Sequence, residues 1–156
     1  MTLKELRISK NLTQKQVADL VGVSLRSYKQ YENESNKIDT IKYRYIFEQL
    51  DRFGYIDENT GILDLETIKK IVSEVFALYP VEYCYLFGSY STNEAKEHSD
   101  VDLLVSTQIT GMDFFGLAET LRERLHKRVD LLNIEQLSNN PKLLDEVLKK
   151  GIKIYG

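Results

Sequence analysis

The residues of this sequence best suited to chemistry are three aspartates and a glycine–serine pair. Asp100 and Asp102 stand one residue apart at the head of an apolar run, "DVDLLV", and Asp130 occupies a similar context, "VDLLN". Side chains at i and i+2 of a strand share a face, so Asp100 and Asp102 project together, and Asp130 can join them from a neighbouring strand. Two carboxylates about 4 Å apart repel by about 4 kcal/mol at an effective dielectric near 20. A fold gathers three of them only with protons or cations to offset that repulsion. An oxygen-only ligand set suits hard Mg2+ or Mn2+, while two histidines and one cysteine offer little to zinc. Gly88 and Ser89 close the preceding apolar run, "VEYCYLF". Glycine lets backbone approach a ligand, and successive N–H groups entering a turn make an anion nest. A phosphate cradle facing metal-binding carboxylates is what a nucleoside triphosphate with its Mg2+ requires.

A small set of elements must position that site. Asp64 can cap a helix reaching about Leu78, with Leu65, Ile68, Ile71, Val72, Val75 and Phe76 turned inward and Pro80 ending it. "VEYCYLF" and "DVDLLV" read as strands, with Gly88-Ser89 as the turn that leaves the first. Phe114 to His126 reads as helix, "RVDLLN" as strand, Pro141 to Lys150 as helix and "IKIY" as an edge strand. The order predicts a small α/β (α+β) domain with a short mixed sheet over residues 64–156. Within it, Cys84 between two tyrosines reads as core, and His98 and Lys96 as solvated loop residues. His126, Lys127 and Arg128 read as cations that favour a helix C-terminus.

Residues 1–54 have another character. Leu3, Leu6 and Ile8 open a helix ending near Asn11. Thr13 can cap a second with Val17, Ala18 and Leu20 inward, and Gly22 can make the sharp turn that stops it. Ser24 can cap a third, with Leu25 and Tyr28 inward and Arg26, Ser27, Lys29 and Gln30 outside. Thr40 to Phe53 carries Ile41, Tyr45, Ile46 and Leu50 at helical spacing. Short helix, glycine turn, short helix is the helix-turn-helix plan, whose second helix enters the DNA major groove. Arg26 and Lys29 can meet phosphate or guanine, Gln30 and Asn33 adenine edges, and Gln14 the backbone. The expected DNA-contacting set is Gln14, Ser24, Arg26, Ser27, Lys29, Gln30 and Asn33. Residues 55–63 carry turn chemistry and read as a short joint.

The net charge of −3 divides unevenly: residues 1–54 carry ten Lys and Arg against seven Asp and Glu, and the remainder is acidic. Two modules with different partners follow from that. No segment reaches the length of a membrane span, the N-terminal residues lack a secretory signal's apolar core, and one cysteine excludes a disulfide framework. A cytoplasmic location is the expectation.

Two resemblances sharpen these readings. Leu6-Arg7, Leu12-Thr13-Gln14, Val17-Ala18, Gly22-Val23-Ser24 and Tyr31-Glu32 resemble the XRE (Cro/repressor-like) helix-turn-helix family. Gly88-Ser89, ten intervening residues and Asp100-Val101-Asp102 resemble the nucleotidyltransferase signature of the DNA polymerase β superfamily, and specifically its minimal, MNT-type members. The second resemblance implies that Gly88 and Ser89 hold the triphosphate of ATP, that Asp100 and Asp102 bind Mg2+ (or Mn2+), and that Asp130 is a third carboxylate helping to activate the attacking hydroxyl. Many minimal members carry an arginine and then a glycine shortly after the serine, where this chain has Thr92 and Asn93.

Minimal nucleotidyltransferases of this kind are commonly antitoxins paired with HEPN-type ribonuclease toxins. The resemblance therefore implies AMP transfer from ATP to a toxin tyrosine, with the helix-turn-helix binding operator DNA to repress the chain's own operon. A homodimer and a hetero-oligomer with the toxin are both compatible with it. Two alternatives stay open: a repressor whose second domain only binds nucleotide or partner, and a transferase acting on a small molecule such as an aminoglycoside.

Overall fold

Every α-helix of the N-terminal unit starts on a side-chain hydroxyl. The computed structural model describes residues Met1–Gly156, which divide into two units, Met1–Tyr55 and Ile56–Gly156. In the first, α1 (Leu3–Ser9), α2 (Gln14–Val21), α3 (Leu25–Asn33) and α4 (Ile41–Arg52) begin after Thr2, Thr13, Ser24 and Thr40. Each of those four hydroxyls accepts the N–H three residues on, and losing one such cap costs about 1 kcal/mol. Gly22, at φ 73°, ends α2 in the left-handed region and turns the chain into α3. The first helix is shorter than its sequence pattern suggests, stopping at Ser9, with Asn11 left-handed beyond it.

The buried side chains of this unit are Leu3, Leu6, Val17, Ala18, Val21, Tyr28, Tyr43, Ile46 and Leu50. Helical phase corrects the sequence reading at two places. Val21 faces inward where Leu20 was expected, and Tyr43 does so where Ile41 and Tyr45 were; Ile41 is 85% exposed. Tyr43, Ile46 and Leu50 form one i, i+3, i+7 stripe, and the Tyr43 hydroxyl accepts the Leu3 N–H at 3.2 Å, which rewards burial of that ring. The Arg7 guanidinium grips the Glu32 carboxylate with two bonds, at 3.0 and 2.8 Å, fastening α1 to α3.

The second unit is a mixed four-stranded sheet of order β3-β2-β1-β4. Helix α5 (Leu65–Phe76), capped by Asp64, leads into β1 (Val81–Phe87). Strand β2 (Val101–Thr107) pairs antiparallel with β1, α6 (Gly111–Leu125) crosses over, and β3 (Val129–Asn133) pairs parallel with β2. Helix α7 (Pro141–Lys150) then returns the chain to β4 (Ile152–Tyr155), an edge strand antiparallel to β1. The main core lies on one face, where Ile68, Val72, Phe76, Leu117, Leu121 and Leu125 pack on Cys84, Leu86, Val101, Leu103 and Val105. Strand alternation sends Phe87, Leu104 and Leu132 to the other face, which Leu137 and Val147 cover in part. Of the segment that reads as a joint, Asp57 and Thr60 bridge to each other, and Ile56 and Leu63 pack into this unit's core. Helix α6 begins at Gly111, three residues before the expected Phe114, because its first turn is exposed and lacks an apolar period. No helix is long and apolar enough to cross a membrane.

Candidate functional site

The incompletely covered sheet face carries the acidic residues. Phe87 of β1, Asp102 of β2 and Asp130 of β3 are register partners, so they form one row across three strands. Asp100 precedes β2 by one residue and is exposed, as is Asp130, while Asp102 is half-buried. Burial first, then the charges of Asp130, Asp100 and Glu146, push the Asp102 carboxyl up to about 6. Glu146, on α7, is a fourth acidic neighbour that nothing in the sequence marks, since a charge on an exposed helix face is ordinary.

The three aspartates are neighbours, but the expected convergence on one point is not what the structure shows. No group of three His, Cys, Asp or Glu side chains is gathered tightly enough to hold a metal ion. Mutual repulsion of the kind estimated above accounts for carboxylates standing apart. The donor set still fits a hard divalent cation: all oxygen, on adjacent strands, with Asp102 held high by negative charge that a cation would offset.

Gly88 leaves β1 directly beside that row. Its φ is +70°, and a Cβ built there would lie 2.1 Å from Asp102 Oδ2. Only glycine satisfies both conditions. The carbonyl side of the turn is tied into the protein: Gly88 O accepts from Ser91 N–H at 3.1 Å and Ser91 Oγ at 2.8 Å, and Ser89 O accepts from Glu94 N–H at 2.9 Å. The N–H groups of Ser89 and Tyr90 donate to no backbone carbonyl, and in the side-chain hydrogen bonds Ser89 takes part only through its carbonyl, with the Thr92 hydroxyl at 3.4 Å. Donors left free beside a carboxylate row can receive phosphate oxygens. Asn93 adopts the left-handed conformation at φ 60° in the place where a glycine was noted as usual. Cys84 is fully buried and burial pushes its thiol up, which removes it as a nucleophile. Lys127 does not serve as a helix-end cation. It is fully buried, and its ammonium donates to three backbone carbonyls.

In the first unit Ser24 Oγ is spent on the Ser27 N–H at 3.1 Å as the cap of α3. Arg26, Lys29 and Asn33 are exposed on that helix, Ser27 and Gln30 half-exposed, and Arg26, Lys29, Gln30 and Asn33 line a shallow groove of about 610 Å³. Gln14 is half-buried and turned toward Glu32, its Nε2 3.4 Å from Glu32 Oε1. Tyr31 carries Lys37 and Lys42 over its ring at 5.0 and 5.7 Å.

A small mixed sheet bearing an acidic row against a glycine turn, preceded in the chain by a capped helical unit with a polar exposed helix, defines a nucleotidyltransferase domain fused to a helix-turn-helix module. Comparison with known families agrees. The family described as Polymerase beta, Nucleotidyltransferase matches residues 66–156, more than half of the sequence, so the chain belongs to that nucleotidyltransferase family. A helix-turn-helix family matches residues 3–42. The Methanocaldococcus jannaschii protein named "Putative protein adenylyltransferase MJ0435" is 31% identical over 59% of this chain and 99% of its own length. The Thermococcus cleftensis "Protein adenylyltransferase MntA" is 38% identical over 46% of this chain and 79% of its own. Among solved structures, a toxin-antitoxin crystal structure with AMP-PNP is 25% identical with a TM-score of 0.50, over 56% of this chain and 73% of that one.

Proposed function

We propose that this chain is an antitoxin that transfers AMP from ATP to a tyrosine hydroxyl of a HEPN-type ribonuclease toxin, and that its helix-turn-helix unit binds operator DNA to regulate its own operon. The observation that carries the transferase half is the contact of Gly88 with Asp102, whose register partner is Asp130. Relatives named as protein adenylyltransferases support a protein acceptor, and the toxin-antitoxin structure with AMP-PNP supports both ATP and a toxin partner.

In this reading the Ser89 hydroxyl and the N–H groups of the turn hold the triphosphate. A divalent cation, Mg2+ or Mn2+, held by Asp100, Asp102 and Asp130 would neutralise phosphate charge and favour in-line displacement. The acceptor oxygen bonds to the α-phosphorus, the bond from that phosphorus to the β-bridging oxygen breaks, and pyrophosphate leaves. The hydroxyl proton passes to a carboxylate, the role this reading gives to Asp130, which is exposed. Arg26, Lys29, Gln30 and Asn33 face the DNA, with Ser24 and Ser27 shaping the start of the same helix.

The test uses ATP labelled at the α-phosphate, Mg2+ and the product of the neighbouring gene. Label on that partner, loss of its ribonuclease activity, and absence of both with Asp100→Asn and Asp102→Asn are expected. A second reading, a repressor that holds its partner without modifying it, is favoured by Thr92 standing where a cationic phosphate contact is common. Neutralisation of the partner without label would establish it.

A further inference from the structure

Lys127 is fully buried, and all three of its ammonium donors are matched. They go to the carbonyls of Thr60 (3.2 Å), Gly61 (2.6 Å) and Glu97. It makes no ion pair; burial lowers its pKa from the ordinary lysine value, with the charges of Asp57 and Glu97 opposing from a distance. A buried cation is costly beside an apolar side chain of equal volume, so its presence calls for a positional reason.

The chain around it supplies one. Glu97 lies in the exposed loop that joins the Gly88-Ser89 turn to β2, where Asn93, Glu94, Lys96, Glu97 and His98 have little cover. After Glu97 the loop closes a tight turn: Ser99 N–H donates to Lys96 O at 3.0 Å, and Lys96 N–H to Ser99 Oγ at 2.8 Å. Asp100 follows at once. On its other side the Val101 N–H donates to Arg128 O at 2.9 Å, one residue beyond Lys127. Asp100 is thus fixed from before by the Lys127 ammonium and from behind by the Lys127–Arg128 backbone, which continues into β3 and Asp130.

We propose that Lys127 is a positioning residue for the divalent-cation site, its ammonium holding the Glu97 carbonyl so that Asp100 is presented beside Asp102 and Asp130. This rests on the reading of that row as a nucleotidyl-transfer centre. A loop with few apolar contacts opens easily, so without the ammonium Asp100 would lose its fixed place while the sheet and its core persisted.

The test is a titration of the full chain with Mn2+ in the presence of AMP-PNP, read by the electron paramagnetic resonance of free Mn2+. Lys127→Met is expected to weaken Mn2+ binding by roughly tenfold, the size found when groups that orient metal ligands are removed. Lys127→Arg, which keeps a cationic donor, is expected to recover part of the loss. Val75→Ala, a core truncation on α5, supplies a comparator whose melting temperature falls without any change at the row, and its Mn2+ affinity is expected to stay within about twofold of the parent. Unchanged affinity in Lys127→Met, or an equal loss in Val75→Ala, overturns the proposal. If Lys127→Met does not fold, Lys127→Gln decides: its shorter, neutral amide cannot replace the ammonium at all three carbonyls, so parental affinity overturns the proposal and a weakened one supports it. A parent chain that binds no Mn2+ alongside AMP-PNP overturns the transfer-centre reading itself, a distinct result.

Discussion

Gly88 and Asp102 are in contact: a Cβ at Gly88 would lie 2.1 Å from Asp102 Oδ2, at a φ of +70°. The turn that offers free N–H groups and the carboxylate at the centre of the row are therefore one rigid feature. Substituting either disturbs the other.

That contact separates two effects of an added methyl group. Gly111 has a φ of +61° with nothing within 4 Å of its Cβ position, so Gly111→Ala incurs only left-handed backbone strain, about 1–2 kcal/mol. Gly88→Ala adds a clash, and the second unit should lose about 3 kcal/mol or more. Transfer activity should fall by about a hundredfold through misplacement of Asp102. Calorimetry of both variants in parallel is the measurement. Equal losses would show that the clash relaxes at no cost.

The sheet, the helices and the acidic row were legible because each follows from a local period or a cap. Gly22 could be read as a turn because only its φ had to be guessed, and Asp102 because strand alternation fixes its face. Tyr43 was missed since the four apolar residues of that segment suit two adjacent helical phases, and the Leu3 N–H that selects one of them lies forty residues away in the chain. Lys127 and Glu146 were not readable for the same reason: their partners, Glu97 and Asp102, come from other elements. Convergence of the carboxylates was overstated because sequence spacing gives a shared face but not a side-chain direction.

The raised pKa of Asp102 makes the site a cost to stability. Its folded value, about 6, exceeds the ordinary 3.8. Between those values the folded chain keeps a proton that the unfolded chain has released, so stability falls as pH rises through that window and then levels. A half-buried group retains part of its hydration, which leaves about 1–2 kcal/mol of the full linkage. In chelator, Asp102→Asn should therefore be more stable than the parent by that amount at pH 8 and little different at pH 4, while transfer is lost. A parent transition independent of pH from 4 to 7 would contradict this.

The Arg7–Glu32 pair behaves oppositely. Burial is the largest single influence on the Glu32 pKa and raises it, but the bonds and charge of Arg7, with Tyr28 and Gln14 beside it, together outweigh that and hold it below the ordinary 4.5. The pair's contribution is fully present above that ordinary value and is lost as pH falls through the lower folded one. Glu32→Gln leaves a guanidinium only 13% exposed without its anion and should cost about 3 kcal/mol at neutral pH. The cost should shrink toward pH 3, where the parent carboxylate is itself protonating. Circular dichroism of the first unit's transition checks both, and DNA affinity should weaken as α3 loosens from α1.

The exposed face of α3 can be tested by salt. Arg26 and Lys29 are exposed and make no ion pair, so replacing either by alanine should leave stability within about 0.5 kcal/mol. If each neutralises a phosphate, its loss lowers the slope of log affinity against log salt by about one and weakens binding to every sequence alike. If instead one of them forks onto a guanine, its loss costs about 1–3 kcal/mol at that base pair and relaxes the preference there. Gln30→Ala, replacing a neutral side chain, should change preference among sequences and leave the slope alone. Binding isotherms of the full chain on its own promoter fragment, at several salt concentrations, distinguish these outcomes. Parental affinity and slope in all three variants would remove α3 from the DNA interface and leave the first unit without its assigned role.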